Sequence, residues 1–82
     1  METHPRHNLA IACNLLFGGT HVIGWEEGDT TGPLHETLHE WIVKLNGIER
    51  GRGKGTSIKI AKNRAAALAL ESLKNEYPDA VI

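Results

Sequence analysis

Apolar residues recur near the start of the chain at Leu9, Cys13 and Leu16, with Ala12 beside them. That is the i, i+4, i+7 spacing of one face of a short amphipathic helix. Thr3 can cap it, Pro5 is tolerated in its first turn, and Gly18-Gly19 ends it, so a first helix is predicted over residues 4–17. Residues 20–26 are rich in β-formers and predict a strand, followed by a turn-forming loop, Glu27-Gly28-Asp29-Thr30-Thr31-Gly32-Pro33.

The stretch from Leu34 to Leu45 satisfies two periods. Leu34, Leu38, Trp41, Ile42 and Leu45 fit a helix, whereas His39, Trp41, Val43 and Leu45 alternate as in a strand. Asn46-Gly47 favours the strand, because that dipeptide suits a two-residue type I′ hairpin turn with a strand on either side. Strands are therefore predicted over residues 38–45 and 48–53, with His39 inward and Glu40 and Lys44 outward. From Ser57 the pattern is helical again: Ala61, Ala65, Ala66, Ala69, Leu70 and Leu73 form one stripe, and Asn63, Arg64, Ala67, Glu71 and Lys74 lie opposite. This second helix is predicted over residues 57–76, with Pro78 ending it. The order α-β-β-β-α predicts an α+β fold, a three-stranded antiparallel sheet with both helices packed on one face.

At 82 residues and 9.0 kDa the chain makes one domain, residues 1–82, without internal repeats. A core of this size buries about 60% of the unfolded surface and rarely supports a self-sufficient enzyme. Cys13 stands alone, so it forms no internal disulfide, and no paired Cys/His set supplies a tetrahedral zinc site. A reducing, intracellular setting, nuclear or cytoplasmic, is the expectation. The longest apolar run, Ala65 to Leu70, is far short of a membrane span, and the N-terminus carries no signal-like apolar segment.

Net charge is -1, which as a total argues against a nucleic-acid partner. Its distribution argues the other way. Arg50, Arg52, Lys54, Lys59, Lys62 and Arg64 fall in a segment without Asp or Glu, so residues 50–64 carry +6 and the rest of the chain -7. An anion within a Debye length of roughly 8 Å feels that local potential whatever the distant acids do.

Gly51-Arg52-Gly53-Lys54-Gly55-Thr56-Ser57-Ile58-Lys59-Ile60-Ala61-Lys62, followed by Ala65-Ala66 and Ala69-Leu70, resembles the double-stranded RNA-binding domain. The family pattern there is G-x-G-x-G-x-S-K-K-x-A-K-x-x-A-A-x-x-A-L. Gly32-Pro33-Leu34-His35 is similar to that family's G-P-x-H loop, and the spacing through Asn46-Gly47 to Ser57 also fits. Ile58-Lys59-Ile60-Ala61 and the compact first helix look most like the C-terminal domain of fungal-type ribonuclease III enzymes and their Dicer relatives.

The resemblance implies double-stranded RNA as partner, read by shape and backbone over roughly 16 base pairs, with two minor grooves and the intervening phosphates contacted together. It places phosphate contacts at Lys54, Ser57, Lys59 and Lys62, around a helix start whose N–H groups and dipole favour anions. Gly53 and Gly55 are expected to let the backbone turn sharply into that helix. Lys59 and Lys62 are both expected to face solvent; Lys62 lies on the angular side of the alanine stripe, which requires the helix start to overhang the sheet. Pro33, Leu34 and His35 are the expected minor-groove loop, and His7 and Asn14 the polar candidates on the first helix.

The sequence departs from the family in two places. Leu9 is followed by Ala10 and Ile11 where the family often has Gln or Glu, and Ile58 replaces the first of two lysines. With Glu26, Glu27 and Asp29 near the loop, modest affinity is expected. No catalytic residue and no cofactor are expected: ribonuclease III chemistry needs clustered carboxylates on magnesium, and the acids here are scattered. The resemblance places any nuclease domain elsewhere in a parent chain. Domains of this family also act as protein–protein modules, so a protein partner or a homodimer is the alternative reading.

His35-Glu36-Thr37-Leu38-His39 is a literal H-E-x-x-H, in which two His one helical turn apart ligate zinc and the Glu is general base. That chemistry needs a helix. The Asn-Gly hairpin signal, the missing third ligand and the short chain stand against it.

Overall fold

The computed structural model describes residues 4–32 and 37–80. Five elements follow in the order α1 (Pro5–Phe17), β1 (Ile23–Thr31), β2 (Leu38–Leu45), β3 (Ile48–Gly55) and α2 (Ile58–Glu76). The strands form one antiparallel sheet in the order β1-β2-β3. Leu9, Ala12 and Cys13 of α1 meet Ala65, Ala66, Ala69 and Leu73 of α2 and Val43 and Leu45 of β2 in a single buried cluster. The α+β architecture expected from the sequence is the one observed.

Pro5 occupies the first position of α1, where its missing N–H costs nothing. Gly18 ends the helix in the left-handed region (φ 76°), its N–H donating to the Asn14 carbonyl at 3.1 Å. The expected Thr3 cap lies outside the described residues. Asn46 (φ 54°) and Gly47 (φ 78°) both take positive φ, as a type I′ turn requires, and they join β2 to β3 with Leu45 opposite Ile48.

β1 differs from its predicted bounds at both ends. Residues 20–22 form a turn closed by Ile23 N–H on the Thr20 carbonyl, so the strand starts at Ile23 rather than Thr20. At the other end it runs to Thr31, through residues whose composition reads as a loop. A bulge makes this possible: Glu27 faces Trp41 and Thr30 faces His39, so Gly28 and Asp29 together oppose Glu40. The Glu40 carboxylate accepts the Asp29 N–H at 3.2 Å, replacing the lost ladder partner. Glu40 does point away from the helices, but it is only 4% exposed rather than solvated.

β3 carries a second irregularity, with Val43 facing Gly51 and Lys44 facing Glu49, so that Arg50 is the extra residue. From there Gly51, Gly53 and Gly55 all face α2. None has positive φ, and they are strand residues rather than the turn glycines expected. Their role is close approach. A methyl group on Gly51 would overlap the Ala65 carbonyl, and one on Gly53 would sit 2.5 Å from the Ala65 nitrogen.

Replacing Gly53 with Ala should therefore lower stability by about 2 kcal/mol, because two of the three colliding atoms, the Ala61 carbonyl oxygen and the Ala65 nitrogen, are backbone and the third is the Arg64 Cβ, so none can rotate away. Gly24→Ala is the control, since its Cβ would meet only the Lys44 carbonyl at 3.9 Å. Urea denaturation of both variants checks this, and equal stability of the two would show that α2 shifts freely on the strand.

Candidate nucleic-acid interface

α2 begins where β3 ends, with only Thr56 and Ser57 between them. Ser57 is extended (φ −136°, ψ 160°), and its Oγ accepts the Ile60 N–H at 3.1 Å, a side-chain N-cap. Its hydroxyl proton remains available to a phosphate oxygen. Lys59 lies in the first turn beyond the cap, exposed, between the exposed Ile58 and Ile60. The last residues of β3 are fastened to the helix by Arg64, whose Nη1 donates to the Lys54 carbonyl at 2.6 Å.

The basic segment is less free than its sequence suggests. Arg50 is paired with Glu76 near the far end of α2. Arg52 reaches Glu49 at 2.9 Å and Glu40 at 3.3 Å on the sheet face away from the helices. Glu49 first and Glu40 second raise the Arg52 pKa. Lys54 stands 3.9 Å from Glu40, and its side chain is 57% exposed. On the same face Lys44 holds Glu26 at 2.6 Å and lowers that carboxyl's pKa by hydrogen bond and charge. Lys59 has no ion-pair partner among the described residues.

Lys62 is not the solvent-facing lysine expected. It is partly buried, its Nζ 4.3 Å from the Trp41 ring centroid and 5.6 Å from that of Trp25. Its place on the angular side of the alanine stripe is the reason: the helix start lies over the sheet, and two aromatic faces receive the ammonium instead of water. The contact ties the start of α2 to both β2 and β1.

At its open end α1 brings Arg6 to α2, with Nε donating to Asn63 Oδ1 at 3.0 Å. Beside this link a cleft of about 340 Å³ is lined by His4, Arg6, His7, Lys59 and Asn63. The structure thus brings His7 and Lys59 together, with Ser57 two residues before Lys59 at the β3–α2 junction, whereas the Lys54 side chain points to the other sheet face, beside Glu40. Asn14 is exposed two turns further along α1, on the same stripe as His7. Pro33, Leu34 and His35 lie outside the described residues. Sequence reasoning missed Arg6, Asn63 and Arg64, whose contacts span 57 residues or end on backbone and leave no periodic signal. For the tryptophans a signal existed, the misfit of Lys62 on an apolar stripe.

The strand that the Asn-Gly signal favoured over a zinc-binding H-E-x-x-H helix is the one observed. His39 belongs to β2, so the helix that H-E-x-x-H requires is a strand there, and His35 and Glu36 lie outside the described residues. Burial raises the Cys13 pKa, which leaves that thiol protonated rather than a ready nucleophile. No helix of the described residues is long and apolar enough to cross a membrane.

Residues 26–73 match the family described as the double-stranded RNA binding motif, a span that runs from within β1 almost to the end of α2. The chain belongs to that family, a non-catalytic module whose partner is double-stranded RNA.

Lys62→Met keeps the aliphatic packing and removes the charge, and it should lower stability by about 1 kcal/mol. A double-mutant cycle with Trp41→Leu should return a coupling of the same order. A Lys62→Met protein as stable as the parent, with unchanged tryptophan emission, would show that the ammonium stands free.

Proposed function

We propose that this domain docks on duplex RNA with Lys59 as its principal phosphate contact, and that it is the RNA-binding module of a ribonuclease III-like enzyme whose nuclease domain lies in other sequence. The observation that carries the docking is the exposed, unpaired Lys59 on the first turn of a helix capped by Ser57, while Arg50 and Arg52 are held by carboxylates. An ammonium and a helix N-terminus act on the same anion there. Ser57 flanks it as a secondary contact, Lys54 is a further phosphate contact from the other sheet face, where its side chain is 57% exposed beside Glu40, and Lys62, stacked on tryptophan, contributes by fixing the helix start. Pro33, Leu34 and His35 supply the minor-groove loop, and the His7–Asn14 stripe of α1 faces a second minor groove. The ribonuclease III context rests on the Ile58-Lys59-Ile60-Ala61 resemblance, and neighbouring coding sequence with an acidic, magnesium-binding nuclease domain would establish it.

A second reading, a protein–protein module of the same fold, is favoured by one feature. Ile11 and Leu15 stand 44% and 64% exposed, one turn apart on α1.

Titration with an RNA duplex of about 20 base pairs should show binding that weakens with salt, and weaker binding of the DNA duplex of the same sequence. Lys59→Ala should flatten the salt dependence by about 0.9 log units per log unit, by analogy with duplex DNA, and weaken binding more than His35→Ala does. No binding at low salt would leave the protein-partner reading, and equal affinity for both duplexes would sink recognition by shape.

A further inference from the structure

The cleft between the two helix starts has a composition of its own. His4, Arg6 and His7 come from the first turn of α1, and Lys59 and Asn63 from successive turns of one face of α2. Among the described residues no carboxylate lines it. The carboxylates that form ion pairs among the described residues are committed to Lys44, Arg50, Arg52 and Lys54, on the open sheet face or at the far end of α2. Arg6 and Lys59 therefore share a concavity with two imidazoles and, among the described residues, no carboxylate.

The Arg6 guanidinium is also preset. Asn63 Oδ1 takes its Nε–H at 3.0 Å, which orients the group and leaves both Nη atoms without a partner among the described residues. A planar guanidinium held by one edge presents the other to an oxyanion. His4, the N-cap of α1, makes no side-chain cap hydrogen bond, and the first turn has no acidic residue, so nothing in α1 opposes an anion at its positive end.

We propose that this cleft is a phosphate site, and that α1 engages the duplex through it by gripping a backbone phosphodiester between Arg6 and Lys59. The inference deepens the RNA-docking reading and rests on it. It accounts for a departure that the sequence leaves open. Ala10 is partly buried and Ile11 is exposed, and neither can hydrogen-bond a minor-groove edge through its side chain. The charged corner of α1 replaces that polar contact with an electrostatic one. Its contribution is then insensitive to sequence and steeply dependent on salt.

The test uses Arg6→Gln and Arg6→Lys, with thermal melts to confirm that both remain folded. Against the RNA duplex, Arg6→Gln should weaken binding several-fold and flatten the salt dependence by about 0.9 log units per log unit, while Arg6→Lys should restore most of the slope. In parallel, inorganic phosphate titrated into the isotope-labelled domain should shift the resonances of Arg6, His7, Lys59 and Asn63, and much less so in Arg6→Gln. Parental affinity and slope in Arg6→Gln would overturn the proposal. Phosphate shifts at these residues in a domain that binds no duplex RNA would keep the anion site and overturn the RNA reading instead. If the parent binds RNA and neither experiment responds to Arg6, the site falls and the docking through Lys59 stands.

Discussion

The structure depends on the direct contact of the α2 backbone with β3. Gly51, Gly53 and Gly55 recur every two residues along the strand, and Ala61, Ala65 and Ala69 every four along the helix. Two strand residues advance about 6.6 Å and four helical residues about 6 Å, so the two series stay nearly in step over the length of the contact. Gly51 meets Ala65 and Ala69, Gly53 meets Ala61 and Ala65, and Gly55 meets Ile60 and Ala61, so helix and strand run in opposite directions. A side chain at any of these glycines would prise the two apart. The cost is that small residues bury little area, and Leu9, Leu45, Leu73 and Val43 supply the larger fully buried side chains.

That seam fixes where the functional groups stand. Because Gly55 packs against Ile60 and Ala61, the first turn of α2 is held at the end of the sheet, with Ser57 and Lys59 just beyond it. The irregularity at Arg50 is part of the same arrangement. It brings Gly51, Gly53 and Gly55 onto the helix side and sends Arg52 and Lys54 to the other, where Glu40 and Glu49 meet them. Two populations of cations result. Those on the open sheet face hold carboxylates and stabilise the bulged end of β1, and those at the helix starts are left to act on something outside the fold.

Much of this was legible from residue pattern. Asn46-Gly47 decided between helix and strand for the preceding segment, because the I′ turn is a local requirement written in two residues. The alanine stripe and the overall α-β-β-β-α order were equally local. What the sequence hid was non-local. Gly28, Asp29 and Thr30 carry turn composition, and only Glu40 on the next strand, accepting the Asp29 N–H, turns them into a paired bulge. Glycine at alternate positions is the same string whether it makes a loop or a seam, and the helix packed against it decides which. The basic run could be counted but not partitioned, since Glu40, Glu49 and Glu76 reach it from three different elements.

Lys62 shows how such an anomaly becomes informative. A lysine on the buried angular side of a helix must either reach water or find an aromatic face, and here β1 and β2 each offer a tryptophan. The ammonium then serves two ends at once. It rests on aromatic faces rather than on a carboxylate, so nothing acidic is added near the helix start, and it holds α2 over the strands with an interaction that survives partial burial. A carboxylate partner would have fixed the helix equally well while cancelling the local potential. With a net charge of -1 the chain has no long-range attraction for a polyanion to draw on. Everything that attracts one must come from the few cations the fold leaves unpaired, and the choice of tryptophan over an acid beneath Lys62 preserves the field they create.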